Sequence, residues 1–392
     1  MRGRIKPNPS FIAFIDLESK VRANHPLRRI KALADAALKE MDAEFTSIYS
    51  DVGRTSIPPE QLLKASLLQV IYGIRSERQL VERVDDSMTF RWFLEMPIDQ
   101  DMWVPTVYTH NRDRLLTTVI ARSFLVKIVA QARAMDFVSA DHFSVDGTLL
   151  QAWASTKSLE ATTAGDDQDK PAPASTSPTS DEPTKGQAQD IPKGDAQSLP
   201  KGKDVIRDFK GQTFSNATHR SKTDPDARLA RKSNAAPAKP SYLANAMIEN
   251  RNGLVVEGEV RRAAGDGGET GAAVAMLDRI KGDHQVTLGA DKGYDSEDFI
   301  KEIGHLAATP HVARNATAHR RSFVPDEVAE QPGYAVSIRF RKRIEQVFGW
   351  IKLAGCLRQV KIRGKKAVDA LFLLALSAYN LVRMNNLMAA KA

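Results

Sequence analysis

The run TLGADKGYDSEDFI, residues 287–300, decides the fold. Thr287-Leu288-Gly289-Ala290 reads as the end of a buried strand, Asp291 closes it, and Gly293 opens a turn. SEDFIKEIGHL (296–306) then reads as a helix with Ser296 at its cap position. Strand, acid, glycine turn and helix are the punctuation of an α/β sheet, and open α/β sheets place ligands at the carboxyl ends of such strands. The ordinary reading of Asp291 is a turn residue capping the next helix. Asp295 is better placed for that role, which leaves Asp291 for something else.

Two further acids stand in comparable settings. Asp146 lies in FSVDGTLLQAWAS (143–155), between Val145 and Gly147 in an extended apolar run. Glu345 lies in IRFRKRIEQVFGWIK (338–352), a helical pattern rich in Arg and Lys. With residues 339–352 on one helix, Ile344, Val347, Phe348 and Ile351 form an apolar face. Arg341, Glu345 and Lys352 then fall within about 40° of one another beside it. Each acid alone has an ordinary reading: a strand-end turn for Asp146, a surface ion pair for Glu345. Acids that end buried strands are costly unless their charge is used, and a divalent metal is a common user. Two strand carboxylates and one helix carboxylate in a basic chain point to a two-metal site acting on phosphodiesters. The expectation is geometric: the three carboxylates converge on two metal positions about 3.5–4 Å apart.

Composition agrees. The 392 residues carry a formal net charge of +8, which favours a polyanionic partner without specifying a fold. Hydrophobic content of 42% allows a sizeable core. The single cysteine, Cys356, excludes intrachain disulfides and multi-cysteine zinc sites. No apolar run reaches the roughly 18–20 residues of a membrane span; the longest candidate, Ala370 to Leu376, falls in an amphipathic helix. MRGRIKPNPSFIAFIDLESK (1–20) lacks a signal-peptide pattern, so the expected location is the cytoplasm.

The chain divides into an N-terminal helical domain at 1–136, expected to bind DNA, and a mixed α/β domain at 137–392. Pro58 and Pro59 precede EQLLKASLLQVIYGI (60–74), Glu77 to Val84 is a second helix, and NRDRLLTTVIARSFLVKIVAQARAM (111–135) is a long one. Arg75, Arg78, Arg83 and Arg91 interleave with apolar residues, as fits either a helix-turn-helix reader or a helical cap on the next domain. From about 160 to 203 the chain is Ala, Thr, Ser, Pro, Gly, Asp and Lys, too polar to bury a core, and reads as a flexible insertion. YLANAMIENRNGLVVEGEVRRA (242–263) is a β-hairpin turning at Asn252-Gly253. GGETGAAVAMLDRI (267–280) is a helix with Thr270 as a cap, and residues 315–333 are a polar loop. SIRFRKRIEQVFGWIKLAG (337–355) and AVDALFLLALSAYNLVRMNNL (367–387) are the last helices.

With these motifs in view, the chain resembles the DDE transposases of bacterial insertion sequences, closest to the insertion-sequence-five-like family. The resemblance rests on VDGT (145–148), ADKGYD (290–295) and an Arg-x3-Glu-x6-Lys pattern met by Arg341, Glu345 and Lys352. Residues 45–115 resemble the family's N-terminal helical domain. Some relatives carry Tyr three residues before the Arg; here that position is Ile338. The resemblance implies a ribonuclease-H-like mixed sheet with flanking helices, in which Asp146, Asp291 and Glu345 are catalytic and hold two Mg²⁺ ions, or Mn²⁺ in their place. It implies hydrolysis at element ends, then attack of the freed 3′-hydroxyl on target DNA, with a homodimer in the synaptic complex. Arg341 and Lys352 would contact phosphates near the metals, and Arg358, Lys361, Arg363, Lys365 and Lys366 would continue the DNA contact. Trp350 reads as core; Trp153 fits either core or base stacking, and His311 and His319 read as solvated. Two other readings stand: a transposase-derived DNA-binding protein without catalysis, and another ribonuclease-H-like two-metal nuclease.

Overall fold

The computed structural model describes residues 16–49, 56–162, 205–209, 212–233, 236–280, 282–316 and 321–391. The insertion expected at about 160–203 lies almost wholly outside these residues, as does His319.

Among the described residues, helices come first: α1 (Leu17–Lys20), α2 (Pro26–Lys39), α3 (Asp42–Ile48), α4 (Pro59–Ile71), α5 (Glu77–Asp86), α6 (Met88–Leu94), α7 (Pro105–Leu115) and α8 (Thr118–Ala134). In α2 the buried residues Leu27, Ile30, Leu33, Ala34, Ala37 and Leu38 recur at helical spacing. Proline opens α2, α4 and α7, where its missing N–H costs nothing. The single helix expected over 111–135 is two helices bent by 77°. Thr117 makes the break: its hydroxyl accepts the Ile120 N–H and starts α8 afresh. Arg91 is buried and donates to the carbonyls of Pro97 and Gln100 at 2.9 Å each, so it is scaffold.

The strands follow: β1 (His142–Gln151), β2 (Leu159–Ala161), β3 (Val205–Phe209), β4 (Gln212–Ser215), β5 (His219–Ser221), β6 (Arg228–Ala230), β7 (Lys239–Glu249) and β8 (Val255–Arg262). After α9 (Gly268–Ile280) come β9 (Val286–Ala290), α10 (Glu297–His305), β10 (Ala308–Val312), α11 (Asp326–Ala329), α12 (Pro332–Phe340), α13 (Ile344–Leu353) and α14 (Lys365–Lys391). The main sheet runs β10-β9-β1-β7, with β8 and β6 sharing the far edge of β7. Strands β1, β7 and β8 are antiparallel in turn; β9 is parallel to β1, and β10 to β9. This is the ribonuclease-H-like mixed α/β arrangement that the motifs implied.

The β7–β8 turn is organised by a buried acid. Glu249 accepts the N–H groups of Arg251 (2.8 Å), Asn252 (2.6 Å) and Leu254 (3.2 Å), which satisfies its charge, while Gly253 takes φ +71°. Helix α9 packs on one face of the sheet and α14 on the other, where Leu376 and Phe372 fill the space left by Gly258. By length and composition α14 could cross a membrane, but 78% of its apolar window is buried. It is a core element between β8 and helices α8, α4 and α2. One hydrophobic core therefore runs from the first helices through the sheet.

Three local expectations change. Helix α9 begins at Gly268, so Thr270 lies inside its first turn and is not the cap. The expected helix over 337–355 is α12, a tight 3-10 turn at Arg341–Arg343, then α13. His311 is buried on β10, within 2.7 Å of the Ser337 hydroxyl, and burial lowers its pKa.

Candidate active site

Register brings the two strand acids together. Ser144 pairs with Gly289 between the parallel strands β1 and β9. Asp146 and Asp291 each stand two residues past this pair, close enough for the Asp291 charge to act on the Asp146 carboxyl. Strand β9 ends at Ala290, while β1 continues to Gln151. Among the described residues, no strand pairs with the β9 side of β1 beyond Ser144 until Gln151, where the segment at Gln359 pairs alongside. The result is a notch about 17 Å long in the sheet, with Asp146 at one end.

Helix α13 lies over this notch. Arg341, in the 3-10 turn, packs where a side chain on Gly289 would sit, its Cβ 3.6 Å from that position. Arg343 pins the turn by donating to the Asn250 carbonyl at 2.9 Å and to the Arg251 carbonyl. Glu345 follows in the first turn of α13, exposed. Two turns on, Lys352 Nζ donates to Thr148 Oγ1 at 2.5 Å. Arg341, Glu345 and Lys352 thus face the Ser144, Asp146 and Thr148 side of β1, despite the break in the helix.

The electrostatics report the crowding. The Asp146 carboxyl is pushed up to about 6, first by burial and then by the charges of Asp291 and Glu345, against the Gly147 N–H and Arg341. Its Oδ1 accepts the Gly147 N–H at 2.8 Å. Burial depresses the Lys352 ammonium, and the nearby Lys232 and Arg358 add to that. Arg341 Nε is buried and has no hydrogen-bond partner among the described residues. The side chains do not close into a metal cage as they stand: among the described residues, no three His, Cys, Asp or Glu groups meet such a geometry.

Asp291, rather than Asp295, makes the cap. Asp291 caps the turn Lys292–Tyr294 by accepting the Gly293 N–H. Asp295 is fully buried and accepts the N–H groups of Asn315 (2.7 Å) and Phe323 (2.9 Å), tying down the loop after β10. Ser296 makes no side-chain cap bond. Capping uses one oxygen of Asp291, so it does not remove the residue from the site.

Glu269, Asn245 and Tyr294 flank Asp146 from the other face of β1. A Cβ on Gly147 would meet Glu269 Oε1 at 2.8 Å and Asn245 Oδ1 at 2.9 Å, which is why glycine follows the acid. Tyr294 is buried, its hydroxyl has no hydrogen-bond partner among the described residues, and its pKa rises through burial and the charges of Glu269, Asp146 and Asp291. An acid directly after a Gly-Gly pair at a helix start was the available signal for Glu269.

The basic run divides at Gly364, which has φ +86°. Arg358, Lys361 and Arg363 line a groove of about 1300 Å³ with Lys352, Trp153 and Arg75. Lys361 Nζ donates to the Arg75 carbonyl at 2.7 Å, which joins the basic segment to the N-terminal helices. Lys365 turns away: its ammonium pairs with Asp266 at 3.2 Å, and its N–H donates to Asp226 at 2.9 Å. Lys366 is exposed beside it, its carbonyl accepting the Thr118 hydroxyl.

Two transposase family models match parts of the chain. Residues 15–114 match a transposase domain (DUF772), and residues 201–381 match a transposase DDE domain. Asp291 and Glu345 lie inside the second match; Asp146 lies between the two. Among solved structures the chain is similar to a piggyBac transposase synaptic complex with hairpin DNA, at 9% identity and a TM-score of 0.39, covering 93% of this chain and 76% of that one. No curated protein matches it.

Proposed function

The chain belongs to the DDE transposases, and from that premise we propose that it cuts DNA at the ends of a mobile element and joins the freed 3′ ends to target DNA. Asp146, Asp291 and Glu345 are the residues proposed to hold a pair of Mg²⁺ ions. Their donors are all carboxylate oxygens, which suit a hard cation. Asp146, held up near 6 by burial and like charge, is a site that a cation would relieve. When bound, the ions would supply an acidified water or 3′-hydroxyl and neutralise the leaving oxygen.

The chain's own residues do the rest. Lys352, oriented by the Thr148 hydroxyl, and Arg341, its Nε unpaired among the described residues, orient the phosphates flanking the cut. Arg343 sets the angle at which α13 enters the site. Arg358, Lys361 and Arg363 carry the DNA away along the groove, and bringing two ends together calls for two copies of the chain.

The observation that carries this reading is the register that sets Asp146 beside Asp291 with the Arg341–Glu345–Lys352 segment across them. The test incubates the protein with Mg²⁺, target DNA and DNA carrying the inverted repeats that flank its reading frame. Cleavage and strand transfer are expected for the native chain, and loss of both, with DNA binding retained, for Asp291→Asn and Glu345→Gln. Strand transfer that survives either substitution overturns the site. Nicking without strand transfer would favour a nuclease, and binding without any cut a protein that has lost catalysis.

A further inference from the structure

Trp153 stands two residues past the end of β1, and 45% of it is exposed. It lines the groove between the basic segment and the N-terminal helices, together with Leu353, itself 77% exposed. Two large apolar side chains left in water inside a basic groove call for an occupant.

The charges of the groove narrow what that occupant is. Its acids Glu77 and Asp113 both pair with Arg112. Among the described residues, no carboxylate pairs with Lys352, Arg358, Lys361 or Arg363. Burial and the like charges of Lys232 and Arg358 work against the Lys352 ammonium, a cost that an anionic chain would reduce. The segment at 358–360 runs alongside Gln151 and Ala152, with the Gln151 N–H donating to the Arg358 carbonyl at 3.2 Å and Gln359 Nε2 to the Ala152 carbonyl at 3.2 Å. That pairing holds Arg358 and Trp153 together at the mouth of the notch. An exposed indole among cations matches the layout that binds single strands: phosphates on the cations and a base on the ring. A base inside a duplex is already stacked on both faces and cannot lie on an indole.

We propose that this groove binds single-stranded DNA, with one unpaired base stacked on Trp153 and its phosphates on Lys352, Arg358 and Lys361. Resting on the proposed transposase reading, the occupant is the strand that is unpaired beside the cut. About 17 Å of strand separates Asp146 from Gln151, so the stacked base lies a few nucleotides from the reacting phosphate.

The test uses the full chain without divalent metal, so that no DNA is cut. Affinities are measured by fluorescence anisotropy for three probes: a blunt duplex of the terminal repeat, the same duplex with a single-stranded extension of about six nucleotides, and oligo(dT). The native chain is expected to bind the extended duplex more tightly than the blunt one, and oligo(dT) is expected to quench tryptophan fluorescence. Trp153→Ala is expected to lose about 5- to 100-fold on both single-stranded probes, together with the quenching, while Trp153→Phe keeps most of each. An unchanged preference in Trp153→Ala, or none in the native chain, overturns the proposal. Failure on the blunt duplex with Trp153-dependent binding of oligo(dT) would remove the transposase reading and leave the groove assignment standing; failure on every probe removes both.

Discussion

Burial pushes the Asp146 carboxyl up to about 6, from an ordinary value of 3.8. A raised carboxyl pKa means the folded chain holds the proton more tightly than the unfolded chain. Stability contributed by this residue is therefore highest below pH 4, falls as pH rises from about 4 to 6, and stays low above that. Asp146→Asn removes the ionisation. In the presence of a chelator the variant is expected to be more stable than the native chain at pH 7.5, by about 1–2 kcal/mol after allowing for the partial exposure of the site, and equal to it at pH 4. Thermal melts at the two pH values check this; an Asn variant that is less stable at pH 7.5 would mean that Asp146 is held by a compensating partner.

At the scale of elements, the edge of the sheet is closed by a helix. Among the described residues, strand β8 pairs only with β7, and its outer backbone groups meet side chains of α14. Asn380 accepts the Val255 N–H at 2.9 Å and donates to the Val255 carbonyl at 2.7 Å; Asp369 accepts the Val260 N–H at 2.7 Å. Both polar residues are buried, so each substitutes for a missing strand and guards an otherwise open edge. Asn380→Leu leaves two buried backbone groups unpaired and is expected to cost about 2–4 kcal/mol. Urea unfolding should show a lower midpoint with an unchanged slope; an unchanged midpoint would show that α14 does not seal this edge. Helix α14 reaches α8, α4 and α2 from its other side, so loosening it is expected to loosen the N-terminal helices too.

For the whole molecule, the division of the basic run at Gly364 predicts which charges DNA meets. Lys361 and Arg363 open on the groove, whereas Lys365 is spent on Asp266. Removing one cation that neutralises a phosphate lowers the slope of log affinity against log salt by about 0.9. Lys361→Ala and Arg363→Ala are each expected to lower it by about that amount, and Lys365→Ala by much less. Equal effects at all three positions would show that DNA does not follow the groove. The same division gives the N-terminal helices a share in the surface, since Arg75 and Arg112 line the groove from their side.

The sequence by itself determined the parts whose signals are local. The strand at 287–290, the β7–β8 hairpin at Asn252-Gly253, the helix around Glu345 and the two aspartates all follow from short-range patterns of apolar, glycine and acidic residues. The motif Arg341, Glu345, Lys352 was legible because its spacing is a property of one segment. Helix breaks were less so: Thr117 and the 3-10 turn at Arg341–Arg343 interrupt patterns whose periodicity alone would run on. Only the tertiary structure decided which acid does what. Asp291 and Asp295 are four residues apart with similar surroundings in sequence, yet one borders the notch and the other is buried under a loop that arrives from residues 315 and 323. Glu269, Tyr294 and Trp153 likewise gained their meaning from elements far along the chain. The physical reason is range: propensity and capping act over a few residues, whereas burial and electrostatic fields are summed over everything that packs nearby.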